Sequence, residues 1–455
     1  MRIKVAPLVL TLGFALMSQT ALAGTLSKFS DFTPLPSSVP AGSLPEAAPF
    51  QLSAPNFEQK SINANDSGPQ NGGIKLGDNW DMITLNESGP SAGRYLFAPY
   101  ETGSAGVRRL DLQTGQAVSI VAPGTQGFVS GDASRWTPWG SYLTAEESWG
   151  TGSTKGRLFE VTNPLANPGS VNFVQRDILP RVSHEGLAFD AAKNMYFIDE
   201  FNSGAIYKYT STTPSASNGD QYFDKGQTFV LQVGAGGASI WIPITDANGQ
   251  PLPGVPTVMV DGKTVIDGRA AADFVGGTAF NRPEDLEMQT LASGKQVLYF
   301  TATGTDNVFS VALDDASNAT VKLFVDQATI DLATSLLVGA PFDSPDNLAI
   351  DADGNIYIIE DQPGGSADIW LAIDADRDGV AEAIGRWASM STSGAEPTGL
   401  YFSPFDPNVA YVNVQHASSD VDRTIQITAV PEPANLALFG LGLAGLGLLR
   451  RKRVI

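Results

Sequence analysis

"SPDNLAIDADGNIYIIED", residues 344–361, decides the fold. A proline and two polar residues enter an alternating apolar run. "DADGN", 351–355, is hairpin-loop chemistry, and a Tyr-led apolar run returns from it to end on Glu360 and Asp361. The unit is therefore two short antiparallel strands with a carboxylate at the start of the first and another at the end of the second. Both acids lie at one edge of the sheet.

The same unit recurs along the chain. Tyr-led strands begin at Tyr95, Tyr142, Tyr196, Tyr299, Tyr357 and Tyr411. Their intervals are similar, except that the step from Tyr196 to Tyr299 is about twice the others. A period of about 50 residues made of short strands is the mark of a β-propeller with one four-stranded blade per repeat. The reading is all-β, with six clear blades and five or seven as alternatives. The double interval predicts a degenerate blade or an insertion around 221–275.

Entry motifs precede four of these strands: "SHEGLAFD" (183–190), "RPEDLEM" (282–288), "SPDNLAID" (344–351) and "AEPTGLYF" (395–402). Innermost propeller strands line one channel, so Glu185, Glu284, Asp346 and Glu396 are expected to converge on its mouth. Glu146 or Glu147, from "TPWGSYLTAEES" (137–148), joins them. Glu200 and Asp361 are expected level with Glu185 and Asp346. Crowded carboxylates without a neutralising lysine take up protons or cations, and an oxygen-only set suits calcium before magnesium. Both histidines, His184 and His416, map to the mouth. Arg282 is either a surface ion-pair partner or an anion clamp.

"DADRDGVAE", 374–382, carries Asp374, Asp376, Asp378 and Gly379 in the order of an EF-hand loop's first half. The twelfth position is Gly385, so the bidentate glutamate is missing, with Glu382 as candidate substitute. A peripheral calcium site and a hairpin with solvated acids are both open readings.

Composition excludes several functions. The chain has no cysteine, so thiolate nucleophiles and thiolate metal sites are ruled out. Its charge is 28 − 48 = −20, and no basic cluster lies outside the termini, which argues against nucleic acid. No Gly-x-Ser-x-Gly elbow with a partnered histidine is present.

The termini read as targeting segments. Residues 1–23 hold Arg2, Lys4, an apolar run and Ala21-Leu22-Ala23, a signal peptide without twin arginines. Residues 24–75 read as an extended lead-in, and 76–428 as the propeller. Residues 430–453 resemble a PEP-CTERM sorting tail: Pro431-Glu432-Pro433, an apolar stretch and Arg450 to Arg453. That resemblance implies an exported protein, periplasmic or at the cell surface of a Gram-negative-type bacterium. It implies a sorting protease as partner, and membrane contact only through the unprocessed tail.

The propeller motifs, together with "YVNVQHA" (411–417), resemble the PhoX-type calcium-dependent alkaline phosphatases over about residues 90–428. The resemblance implies hydrolysis of phosphate esters of small molecules at a channel mouth holding calcium and iron. It implies Glu146, Glu185 and Glu284 as metal ligands and Arg282 as the arginine facing phosphate. Asp346, Asn347 and Glu396 take further polar positions. Glu147 joins the metal set, and Arg282, Asn347 and His184 are the expected catalytic residues. The family's cysteine ligand for iron falls at Ala145, which puts the iron in doubt. Two alternatives remain: a lactonase or other ester hydrolase on a calcium-binding propeller, and a non-catalytic, calcium-stabilised matrix protein.

Overall fold

In a computed structural model of the chain, residues 28–65, 76–361 and 367–430 are described. The expected signal peptide, 1–23, and residues 431–453 of the expected sorting tail lie outside the described residues. Six four-stranded antiparallel units follow one another. The first has Thr84–Leu85, Tyr95–Pro99, Val107–Asp111 and Gln116–Val121. The second has Gly131–Trp136, Tyr142–Glu146, Leu158–Val161 and Phe173–Gln175, and the third Leu187–Phe189, Met195–Ile198, Ile206–Ser211 and Gly226–Val233. The fourth runs Pro283–Thr290, Gln296–Ala302, Asn307–Leu313 and Asn318–Val325, and the fifth Pro345–Ile350, Ile356–Glu360, Asp368–Ile373 and Ala383–Met390.

The sixth blade closes the ring. Glu396–Phe402, Val409–Gln415 and Arg423–Ala429 come from the C-terminal part, and the outermost strand, Phe57–Ala64, comes from the N-terminal part. Part of the expected lead-in thus belongs to the propeller. Phe50–Leu52 also adds an edge strand to the fifth blade. Phe29 and Phe57 pack around Trp387 and Phe402, so apolar burial as well as backbone pairing secures the closure.

The irregular region differs from the expected 221–275. Gly226–Val233 is the regular outer strand of the third blade. Ala238–Pro243 pairs with it and with Asn318–Val325, tying blades three and four into one sheet. Beyond it a hairpin, Thr257–Val260 with Lys263–Ile266, leads into helix Gly268–Val275. Asp267 caps that helix by accepting from Ala270 N–H, and Gly276 ends it in the left-handed region.

The innermost strands neighbour one another round the axis, and side chains stitch them together. Asp285 Oδ2 accepts from Leu348 N–H at 2.9 Å, and Asn347 Oδ1 from Gly399 N–H at 2.6 Å. Innermost strands of blades two, four, five and six each carry a register shift near their mouth end. Such bulges re-aim side chains, and here the shifted stretches hold or adjoin the acids of the channel mouth.

Candidate active site

Each blade offers two positions to the channel mouth, one entering the innermost strand and one leaving the second. The entry positions are Asp81, Asp132, Glu185, Glu284, Asp346 and Glu396. The exit positions carry Glu101, Glu147, Glu200, Asp361 and His416, while the fourth blade has Thr303 in place of an acid. Ten of these carboxylates, with Arg282, Gln415 and His416, line one cavity of about 460 Å³.

Burial sets the electrostatics. Desolvation pushes the carboxyls of Asp132, Glu147, Glu185, Glu284 and Asp346 well above the usual range, and neighbouring acids add to it. Asp81 rises to about 7 and Glu396 to about 11, both chiefly through burial. Among the described residues, Asp132 Oδ1 and Glu185 Oε2 are buried and accept no hydrogen bond. Two sets of ligand atoms lie within 4.8 Å of one another: Glu185, Glu200 and Glu284, and on the other side Glu101, Glu396 and His416. Oxygen donors with one imidazole fit a hard divalent cation.

Arg282 stands in the ring with a positive φ, a left-handed conformation uncommon for a non-glycine residue. Its Nη2 donates to Glu200 Oε1 at 2.7 Å and its Nε lies 3.1 Å from Glu284 Oε1. With the side chain 42 % exposed, the guanidinium also opens to the cavity. Both acids hold it in place.

Three expected residues stand elsewhere. Glu146 is fully buried with its carboxylate turned from the mouth, paired with Arg157 and accepting from Val129 N–H at 3.3 Å. Successive strand residues face opposite sides, so Glu147 takes the channel side and Glu146 cannot. His184 is likewise fully buried, tilted on Phe197 at 5.5 Å, with neither ring nitrogen hydrogen-bonded. Burial lowers its pKa to about 3, and it is absent from the cavity wall. Asn347 lies beneath the cavity. Its amide donates to Glu185 Oε1 at 3.1 Å and Asp346 Oδ1 at 3.3 Å, and its oxygen accepts from Thr398 and Gly399. It positions two acids and has no free atom to offer a substrate.

His416 is the imidazole at the mouth, Nε2 at 3.2 Å from Glu101 and 3.3 Å from Glu396. The hydrogen bond to Glu101 raises its pKa. Ala145 is buried in an apolar cluster with Leu143, Leu158 and Val182, so nothing at that position can ligate iron. Asp81, Glu101 and Asp132 escaped the sequence reading. Asp81 and Asp132 stand in none of the four entry motifs, and only their equivalent places in the blade repeat signal them.

The peripheral loop divides. Asp374, Asp376 and Glu382 converge within 4.8 Å, whereas Asp378 is drawn off by Lys322 at 3.1 Å. Glu382 Oε2 also accepts from Ala375 N–H at 2.9 Å, closing the loop.

Fold and site together define a six-bladed β-propeller whose channel mouth is a desolvated, largely acidic ring. The chain belongs to the PhoX alkaline phosphatase family, described as alkaline phosphatase PhoX, whose profile matches residues 83–418. The PEP-CTERM protein-sorting motif matches residues 429–453, which indicates export, cell-surface sorting and processing of the tail. No curated protein matches the chain. Among solved structures, a gluconolactonase from Xanthomonas campestris is 11 % identical with a TM-score of 0.44, covering 87 % of this chain and 98 % of that one. A Bacteroides thetaiotaomicron protein of unknown function is 10 % identical at TM-score 0.44 (82 % and 76 % covered). The polysaccharide lyase Uly1 is 11 % identical at 0.37 (85 % and 98 % covered).

Proposed function

We propose that the chain is an exported, calcium-dependent phosphoesterase acting on phosphate monoesters of small molecules at the propeller mouth. One observation carries the reading: a single cavity combines ten carboxylates with one arginine, and the arginine and nine of those acids, all but Asp81, fall in the segment matched by the phosphatase family. Glu185, Glu200 and Glu284 would hold one cation, and Glu101, Glu396 and His416 a second. When bound, calcium supplies Lewis acidity toward phosphate oxygens and acidifies water. Iron has no place in the scheme, because Ala145 stands at the family's thiolate position.

The chain's own residues bind and orient. Arg282 meets the phosphate and offsets the charge that builds on its oxygens. Glu200 and Glu284 fix the guanidinium before substrate arrives, so little is lost in ordering it. Asn347 holds Glu185 and Asp346 at a set separation from below. Glu147 and Asp132 extend the acidic wall.

Turnover of aryl phosphates by calcium-loaded protein, from neutral to alkaline pH, tests the proposal. Release of phosphate that EDTA abolishes and calcium restores is the expected result. Equal rates with and without EDTA would refute it.

A further inference from the structure

Beside the mouth lies a second cavity, of about 480 Å³, built where the six-fold repeat is interrupted. Its walls are the 149–154 loop of the second blade and the hairpin and helix of the insertion. It shares structure with the mouth on two sides. Glu147 lines one cavity, and Trp149, two residues on, lines the other. Asp199, next to the mouth residue Glu200, receives Arg269 in a two-fold grip, 2.7 Å from Nε to Oδ2 and 2.7 Å from Nη2 to Oδ1.

This second wall is bonded at several points. Arg269 lies 3.6 Å over the Phe201 ring and donates to the Trp149 carbonyl at 3.1 Å. Trp149 Nε1 donates to Asp267 Oδ1 at 3.1 Å, and its ring packs on Val260 and Val265. The insertion is thereby pinned to the mouth rather than hung beside it.

The lining has a definite chemistry. Thr151 and Thr154 bring hydroxyls, Asp273 an exposed carboxylate, and Val258 and Met259 an apolar side, while Ser153 Oγ is engaged within its own loop by the Ser148 carbonyl and Lys155 N–H. Among the described residues, Arg269 is the cation that lines this cavity, and Asp199 already neutralises it. An anion is therefore repelled, whereas a neutral ligand with hydroxyl groups on one face and C–H groups on the other is matched. From this, and resting on the phosphoesterase reading above, we infer that this cavity is the leaving-group subsite: it receives the uncharged, hydroxyl-rich organic part of a phosphate monoester whose phosphate lies at Arg282.

Gly150 is the place to test it. It lines the cavity, a side chain added there meets nothing within 4 Å, and its backbone needs no left-handed conformation. Initial rates of the calcium-loaded full chain are compared for glucose 6-phosphate, phenyl phosphate and methyl phosphate. The wild type is expected to favour glucose 6-phosphate in kcat/KM. Gly150→Trp and Asp273→Ala should each cut that preference about tenfold, with methyl phosphate turnover unchanged. Equal losses on glucose 6-phosphate and methyl phosphate, or a wild-type preference for phenyl phosphate, would overturn the inference. Calorimetry with glucose alone separates the two readings. If the wild type binds glucose, Gly150→Trp does not and no ester is turned over, the cavity keeps its sugar-binding chemistry while its role as a leaving-group subsite falls with the phosphoesterase. If neither binds glucose and the wild type hydrolyses all three esters alike, the subsite falls while the phosphoesterase survives.

Discussion

Substituting Asp81 by asparagine isolates the energy stored in the acidic ring. Asp81 is buried between the first and sixth blades, accepting from Thr398 Oγ1 at 2.5 Å and Gln415 Nε2 at 3.2 Å. Burial and the nearby Glu101 raise its pKa from 3.8 to about 7. The folded, metal-free protein therefore holds this proton more tightly than the unfolded chain does. The stabilisation is complete below pH 3.8 and is lost as pH rises through about 7. A rise of that size corresponds to an upper bound of ~4 kcal/mol, because one pKa unit is worth about 1.4 kcal/mol. Melting of EDTA-treated protein, followed by circular dichroism from pH 4 to 8, should show the midpoint falling across that window. Asp81→Asn keeps an acceptor for Thr398 and should flatten the fall. With calcium present the wild type should lose its pH dependence, since a cation replaces the proton. A metal-free midpoint that climbs between pH 5 and 7, or a slope unaffected by Asp81→Asn, would refute the reasoning.

Glu146→Gln breaks a buried ion pair with Arg157 and should cost roughly 3–5 kcal/mol in chemical denaturation, leaving calcium stoichiometry unchanged. Glu147→Gln should do the reverse, weakening calcium binding in calorimetry at little cost to stability. Arg282→Ala should lower kcat/KM for aryl phosphates by about 10²- to 10³-fold, with Arg282→Lys recovering only part, because lysine cannot engage Glu200, Glu284 and phosphate in one planar fork. His184→Leu removes two buried nitrogens that lack partners, so its melting temperature should match or exceed the wild type's, with kcat retained. A collapse of activity in that variant would return His184 to the site.

The blade count was legible because it rests on local pattern: alternating apolar residues, a turn and a tyrosine, recurring at similar intervals apart from the one double step. The entry acids Glu185, Glu284, Asp346 and Glu396 were legible for the same reason, since a turn signal marks where each innermost strand starts. Asp81 and Asp132 sit at equivalent places without that signal. Only the ring geometry brings them in. The choice between Glu146 and Glu147, or between His184 and Glu185, was beyond any local reading. Adjacent strand residues point to opposite faces, and a shift by one position exchanges channel for core. Burial settles it: Glu146 and His184 are fully enclosed, while Glu147 and Glu185 line the cavity. The closing strand Phe57–Ala64 was hidden for a different reason. Its partner, Arg423–Ala429, lies at the opposite end of the propeller segment, and its own polar run, "FEQKSINA", becomes a strand through that pairing. Sequence alone therefore determined the repeating unit and the acids at its turns, because both are set by neighbours along the chain. Tertiary structure decided which acids share one mouth, which are neutralised beneath it, and how the ring closes, because those depend on burial and on partners from other blades.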